Sequence, residues 1–165
     1  MIQWEQCKRD FTLEGSLRDI YISGVEPTDW RSLYKELLAK YCTEYLLNQQ
    51  PQPAPEVADN AFAARSTGST LLRLRTGNVL ICCHFFDWTE VEFDIDPRDI
   101  NSQMDLSGVL DFMQTIGNCL SKRVVLTPEN MRHIPIISDD PIHSRFHYHQ
   151  VYPDDDANPR PNWAR

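Results

Sequence analysis

Residues 90–96 read EVEFDID, a strict alternation of acidic and apolar side chains. Successive side chains of a β-strand point to opposite faces, so this run predicts a strand with one apolar and one acidic face. The apolar face carries Val91, Phe93 and Ile95, and the acidic face carries Glu90, Glu92, Asp94 and Asp96. Pro97 then ends the strand, because proline has no N–H to donate to a neighbour. Side chains two residues apart lie about 6–7 Å from each other, so the four carboxylates repel one another and favour a cationic partner.

The composition describes an acidic protein with enough apolar residues for a core. The chain has 165 residues, of which 41% are hydrophobic, and this size suits one domain. Its formal net charge of −8 argues against non-specific nucleic-acid binding, which needs a basic surface. Neither a signal peptide nor a stretch of about 20 apolar residues is evident. We therefore expect a cytoplasmic protein with no nucleic-acid or membrane partner.

The five cysteines, at positions 7, 42, 82, 83 and 119, predict reduced thiols. Their number is odd, two of them are adjacent, and no secretion signal accompanies them. Cys82 and Cys83 would point to opposite faces of a strand, which disfavours a disulfide or a shared metal ion. The sequence has no CxxC motif, so a zinc site built from cysteines is not expected.

Two segments have the apolar periodicity of long helices. Residues 30–41 place apolar side chains at i, i+3, i+4, i+7, i+8 and i+11, and Thr28 is the predicted N-cap of this helix. A second long helix begins at Asp105, and a short alanine-rich helix is predicted over residues 56–65. Strands are predicted over residues 16–23, 44–48, 69–75, 78–86, 90–96 and 124–127, with a hairpin turn at residues 76–78.

These elements predict an α+β fold, in which a mainly antiparallel sheet of five or six strands is packed by two long helices. Residues 49–55 hold three prolines and three glutamines and are predicted to form a loop or an extended connector. Residues 1–140 are predicted to form a single domain. Residues 141–165, rich in aspartate, histidine and proline, are predicted to form a C-terminal tail that is partly docked or flexible.

The acidic row in residues 90–96 has three interpretations. It suits a contact surface for a basic protein, to which Asp87 in the preceding turn adds a further carboxylate. It also suits a Mg²⁺ or Ca²⁺ site, although such a site needs carboxylates that converge from several segments. The third interpretation is a solvated face, or an edge strand that is charged to prevent association between sheets.

His84 is the main candidate for acid–base chemistry. It lies at the end of an apolar strand, near Glu90 of the next strand, and Cys82 lies on the same face as a candidate nucleophile. Glu129, in the turn after the last predicted strand, is a second candidate acid or base. No oxyanion loop or other catalytic signature surrounds them. A hydrogen-bonded structural histidine and an ordinary turn are the interpretations that we favour.

Three histidines occur near the C-terminus, at spacings of four and two residues: His143, His147 and His149. The first pair would share one face of a helix and the second pair one face of a strand, as metal ligands often do. The neighbouring Pro141, Arg145 and aromatic residues make a poor setting for a fixed site. We therefore predict no metal site and no cofactor.

Three segments occur together in order: GSLRDIY at residues 15–21 followed by DW at 29–30, CHFF at 83–86 leading to EFDIDPR at 92–98, and LTPEN at 126–130. Together they resemble a group of small bacterial proteins, some of which look like immunity proteins of contact-dependent or polymorphic toxin systems. The resemblance covers residues 15–140 and implies a shared fold. It implies an acidic cytoplasmic protein that occludes the active site of a toxin, and it carries over no catalytic residues.

The sequence therefore predicts a non-catalytic binding protein, of the immunity type, that neutralises a basic toxin domain. The predicted contact residues are Glu90, Glu92, Asp94, Asp96 and Asp87. The alternative is a small hydrolase or metal-dependent enzyme centred on His84 with nearby carboxylates, among them Glu129. A third hypothesis is a structural module that forms a homodimer through an edge strand.

Overall fold

The structure, a computed structural model, describes residues 2–12, 15–140 and 145–151. It contains one nine-stranded antiparallel sheet. The strands are β1 (Arg18–Ser23), β2 (Thr43–Leu47), β3 (Gln50–Gln52), β4 (Thr70–Thr76), β5 (Val79–His84), β6 (Glu90–Ile95), β7 (Val124–Pro128), β8 (Ile137–Asp140) and β9 (Arg145–Tyr148). The helices are α1 (Trp4–Cys7), α2 (Pro27–Lys40), α3 (Ala58–Ala64) and α4 (Gln103–Leu120), with 3₁₀ turns at Lys8–Phe11 and Pro97–Asp99. The predicted α+β class and antiparallel sheet are confirmed.

The strands follow the order β3-β2-β4-β5-β6-β1-β7-β8-β9 across the sheet. The central strands are therefore β5, β6 and β1, and β6 pairs with both of the others. The predicted hairpin between β4 and β5 is confirmed: Thr76 pairs with Val79, and Gly77 in the turn has a φ of 58°. Glycine adopts this left-handed conformation without steric cost.

One face of the sheet carries the hydrophobic core, as the alternation in residues 90–96 predicts. Val91, Phe93 and Ile95 are fully buried beneath the helices. Helix α4 lies across β4, β5, β7 and β8, and α2 packs beside α4. Phe93 meets Phe112 of α4 edge to face, with ring centroids 5.1 Å apart. Burial of one such side chain stabilises the fold by about 1.5–3 kcal/mol.

Both long helices are present, and both begin earlier than the sequence predicts: α4 begins at Gln103 and not at Asp105, and α2 at Pro27. The N-cap of α2 is Glu26 and not Thr28, and the backbone N–H of Glu26 donates to Asp29 Oδ2 at 2.9 Å. Pro27 occupies the first helical position, where a backbone N–H would have no acceptor within the helix, so its absence in proline costs no hydrogen bond. Thr28 therefore lies inside the first turn.

No helix in the described ranges is long and apolar enough to cross a bilayer.

The prediction of five or six strands was wrong, because three short strands extend the sheet at its two edges. One of them, β3, lies in the proline-rich segment that was predicted to be a loop or an extended connector. Pro51 is tolerated there because β3 is an edge strand, which needs hydrogen bonds on one side only. The other two, β8 and β9, form the opposite edge. Each has four residues, which is too short for a clear alternation in the sequence.

Strand β9 lies within the segment predicted to be a C-terminal tail. Its residues Phe146 and Tyr148 pack against the core. The hydroxyl of Tyr148 donates to Asp10 Oδ2 at 2.5 Å, which links this strand to the N-terminal segment. Two parts of the predicted tail, residues 141–144 and 152–165, lie outside the described residues.

Asp139 of β8 is a buried carboxyl group on the helical side of the sheet. Only 1% of it is exposed, and neither side-chain oxygen has a hydrogen-bond partner within residues 2–12, 15–140 and 145–151. A Cβ at Gly117 of α4 would lie 2.8 Å from Asp139 Oδ2, so the glycine allows the helix to approach. Burial, and then the negative charge of Asp140, raises the pKa of Asp139 above its usual value, by more than the nearby backbone N–H of Asp140 lowers it.

We expect Asp139→Asn to stabilise the protein by an amount that grows as the pH rises. A native pKa above the unfolded value of about 3.9 means that wild type loses stability as the pH rises through the native pKa. Urea denaturation at several values between about pH 4, near the unfolded pKa, and about pH 8 measures the difference in free energy of unfolding. The exposed Asp111→Asn serves as the control for the loss of one carboxylate charge at the surface. A difference for Asp139→Asn that is independent of pH would contradict the assignment.

Candidate binding site on the open sheet face

The face of the central strands opposite the helices, here called the open face, carries the polar side chains. In β6 these are Glu90, Glu92 and Asp94, each only partly exposed, in alternation with the three core residues. The open face is thus a half-buried polar surface at the centre of the sheet. Groups there are less solvated than on a fully exposed loop, so their charges interact more strongly.

Strand pairing brings a second row of residues against β6. Asp94 lies opposite Asp19 of β1 on one side and opposite Cys82 of β5 on the other. Glu92 lies opposite Tyr21 and His84 in the same way. The open face therefore gathers four acidic residues, called here the carboxylate cluster: Asp19, Glu90, Glu92 and Asp94.

Asp19 is the most deeply buried member of the carboxylate cluster, with 3% of its surface exposed. Its Oδ2 accepts hydrogen bonds from the hydroxyl of Tyr21 at 2.8 Å and from the backbone N–H of Asn130 at 2.7 Å. Burial raises the pKa of Asp19 more than these two bonds lower it, and the nearby charges of Asp94 and Glu129 raise it further.

Two members of the carboxylate cluster have a cationic or ionisable partner. The guanidinium of Arg132 lies 3.1 Å from Glu90 Oε1 and also stacks over the ring of Tyr21, with a separation of 5.2 Å. His84 Nε2 and Asp94 Oδ2 form a hydrogen-bonded pair. Four carboxylates therefore face one arginine and one histidine, and the cluster keeps a net negative charge.

Glu92 is the acid at the middle of the row. Its pKa is raised, first by burial and then by the negative charge of Asp19, while His84 opposes the shift. A raised pKa means that the surroundings disfavour the ionised form. A cation placed against Glu92 would remove part of that penalty.

The other two predicted contact residues lie outside the carboxylate cluster. Asp96 follows the last residue of β6 and pairs with Arg98 of its own turn, Oδ2 to Nη2, at 2.5 Å. Hydrogen bonds from that side chain lower the pKa of Asp96. Asp87 accepts bonds from the backbone N–H and hydroxyl of Thr89, at 2.7 and 2.8 Å. Both acids therefore stabilise turns at the ends of β6.

The candidate catalytic residues are only partly brought together. His84 pairs with Asp94, and its ring stacks on Phe86 with centroids 4.7 Å apart. Glu129 instead accepts the backbone N–H of Leu17 at 3.1 Å, near Asp19. Burial, and then the charge of Asp94, raises the pKa of the Cys82 thiol to about 11. Cys82 is therefore protonated near neutral pH, which disfavours a role as nucleophile.

The histidines near the C-terminus do not form a described metal site. His143 lies outside the described residues. His149 Nε2 lies 3.1 Å from Ser138 Oγ, and His147 is exposed on β9. No group of three or more histidine, cysteine, aspartate or glutamate side chains suited to a metal ion occurs in the part of the chain that the structure describes.

Sequence reasoning missed Asp19, Tyr21 and Arg132 as parts of this site. The alternation in residues 17–22 places Asp19 and Tyr21 on one face of β1, but it does not say which strand lies beside them. Arg132 lies in a connecting segment with no periodic pattern. Tertiary pairing of β1 with β6 brings Asp19 and Tyr21 to the carboxylate cluster, and pairing of β1 with β7 brings the segment that carries Arg132 beside them.

Comparisons of this chain with protein-family models, with curated proteins and with solved structures find no match.

We expect Tyr21→Phe to lower the free energy of unfolding by about 1–3 kcal/mol, because Asp19 would lose a buried hydrogen-bond donor. Tyr45→Phe is a matched control. The Tyr45 hydroxyl is buried with no hydrogen-bond partner in the described parts of the chain, so its removal should be neutral or stabilising. Urea denaturation of the two variants measures both effects. Equal decreases in the free energy of unfolding of the two variants would show that the hydrogen bond from the Tyr21 hydroxyl to Asp19 does not stabilise the fold.

Proposed function

We propose that this chain is a non-catalytic binding protein of the immunity type, which docks a basic toxin domain on its open face. The observation that carries the proposal is the carboxylate cluster. Its four acids come from the neighbouring strands β1 and β6. Arg132 forms an ion pair with Glu90, and His84 forms a hydrogen bond with Asp94. The resemblance of residues 15–140 to immunity proteins supports the same class.

Electrostatic steering is the physical mechanism of the proposal. The net charge of −8 attracts a basic partner over long range, and the carboxylate cluster orients it at short range. Glu92 supports this role because its raised pKa reflects an unfavourable ionised state that a lysine or arginine of the partner would relieve. Asp96 contributes less, because Arg98 already neutralises it.

The alternative, a hydrolase centred on His84, rests on the pairing of His84 with Asp94. A histidine held by a carboxylate is a common general base. The nearest thiol, Cys82, does not complete such a site, because its raised pKa keeps it protonated. The same pairing also occurs where a structural histidine donates a hydrogen bond to a half-buried acid. The geometry therefore supports the binding of a protein partner better than catalysis.

The double variant Glu90→Gln/Glu92→Gln should associate with its partner about tenfold more slowly at low salt, with a smaller dependence on ionic strength. The partners to test are the basic protein domains encoded by the genes adjacent to that of this chain. Stopped-flow measurement of the association rate at several salt concentrations separates steering from the strength of the final contact.

Glu56→Gln/Asp111→Asn is the matched control, since it removes the same charge from two exposed residues outside the carboxylate cluster. We expect its association rate to stay within about twofold of wild type. Equal slowing of both double variants would show that total charge, and not the open face, governs association. Failure of the wild-type chain to bind any of these basic domains would refute the proposed function.

A further inference from the structure

A pocket of about 480 Å³ opens beside the carboxylate cluster, where the ends of β2, β4 and β5 meet the segment that follows α3. Its lining includes Leu71 of β4, His84 of β5 and Phe86 just beyond β5. The volume lies within the range of about 300–1,000 Å³ that is usual for small-molecule sites.

The charge of this pocket is opposite to that of the rest of the protein. Of the ten described residues that line it, two are the arginines Arg65 and Arg73, one is His84, and none is acidic. The whole chain, by comparison, has 24 acidic residues against 16 lysines and arginines. The pocket is thus suited to an anionic group, and the neighbouring carboxylate cluster is suited to a cationic one.

The wall of the pocket is formed in advance by hydrogen bonds. The backbone N–H of Asn48 donates to the carbonyl of Ser69 at 2.8 Å, and Asn48 Oδ1 accepts from the N–H of Ser69 at 3.0 Å. Gly68 allows this contact, because a Cβ there would lie 2.0 Å from Asn48 Oδ1. A wall held in this way loses little conformational entropy when a ligand binds.

The apolar part of the pocket is unusually accessible. The exposed fraction of Phe86 is 54%, which makes it one of three exposed large hydrophobic residues within the described ranges. One side of its ring is occupied by His84, with which it stacks, and the guanidinium of Arg65 lies 5.8 Å from the ring centroid. Together with Leu71, Phe86 offers a hydrocarbon surface beside two cations.

Arg73 is the cation best placed to hold an anion. Its Nε is buried without a hydrogen-bond partner in the parts of the chain that the structure describes, while the side chain also contacts the Cys82 thiol on the neighbouring strand. Its Nη1 lies 3.6 Å from Glu44 Oε2, and both side chains are about half exposed, 42% and 51%. An ion pair this long and this exposed is weak, so a ligand carboxylate that binds the guanidinium at two points can displace Glu44.

We propose that this pocket binds an apolar carboxylate, with the carboxylate on Arg73 and the hydrocarbon against Leu71 and Phe86. The ligand is an aryl or alkyl carboxylate, supplied either as a free molecule or as the C-terminal residue of a peptide. The inference is independent of the proposed function, because it concerns the isolated protein and a site of opposite charge.

Calorimetric titration with 4-phenylbutyrate, 4-phenylbutyramide and 4-phenylbutylamine tests the charge preference. We expect the carboxylate to bind at least about tenfold more tightly than the amide, and the amine not to bind in the pocket. The peptide Gly-Gly-Phe, with a free or an amidated C-terminus, tests the second source. If the free peptide binds more tightly than both the amidated peptide and 4-phenylbutyrate, the ligand is a peptide C-terminus. If 4-phenylbutyrate binds more tightly than the free peptide, the ligand is a free acid. Equal binding of carboxylate and amide, or tightest binding of the amine, would overturn the proposal.

Arg73→Gln should reduce the affinity for 4-phenylbutyrate to that for the amide, whereas Glu44→Gln should increase it. Arg75→Gln is the matched control, because Arg75 lies on the same strand, is exposed and does not line this pocket. Phe86→Ala removes an exposed side chain and should weaken the binding of 4-phenylbutyrate and of 4-phenylbutyramide by the same factor. Circular dichroism checks that each variant is folded. Equal losses in Arg73→Gln and Arg75→Gln would show that the ligand responds to overall charge and would overturn the assignment.

Discussion

The register between β1 and β6 is the constraint on which the open face depends. It sets Asp19 opposite Asp94 and Tyr21 opposite Glu92, although the acids repel one another and lose solvation there. The same register places Phe93 and its apolar neighbours in the core. A slip by one residue would bury the charges and expose the apolar residues, so core packing maintains an arrangement that is electrostatically unfavourable.

This arrangement gives the open face two regions of opposite charge, and His84 lies at the boundary. Its ring lines the cationic pocket, and its Nε2 holds Asp94 of the carboxylate cluster. A basic partner against the cluster would lower the raised pKa values of Asp19 and Glu92 and would therefore release protons as it binds. Its affinity is expected to rise with pH through the range in which these two acids ionise.

Local sequence pattern accounts for much of the fold. The alternation in residues 90–96 and the turn at Gly77 predict their strands, and the apolar stripes predict α2 and α4. The three short edge strands are not predicted from the sequence, because Gln50–Gln52 contains a proline and the other two have only four residues each. The carboxylate cluster was predicted only for the acids of β6. Asp19 and Arg132 join it through strand pairing over a long sequence separation, which periodicity does not encode.

The most direct test of the account is an NMR titration of the side-chain carboxyl groups in the isolated protein, from about pH 3 to about pH 8. We expect Asp19 and Glu92 to titrate above the usual values for their residue types and Asp96 to titrate below its usual value. We also expect Asp19→Asn to lower the pKa of Glu92, because the negative charge of Asp19 raises it. Ordinary pKa values for Asp19 and Glu92, with no response to that substitution, would contradict the existence of a coupled carboxylate cluster.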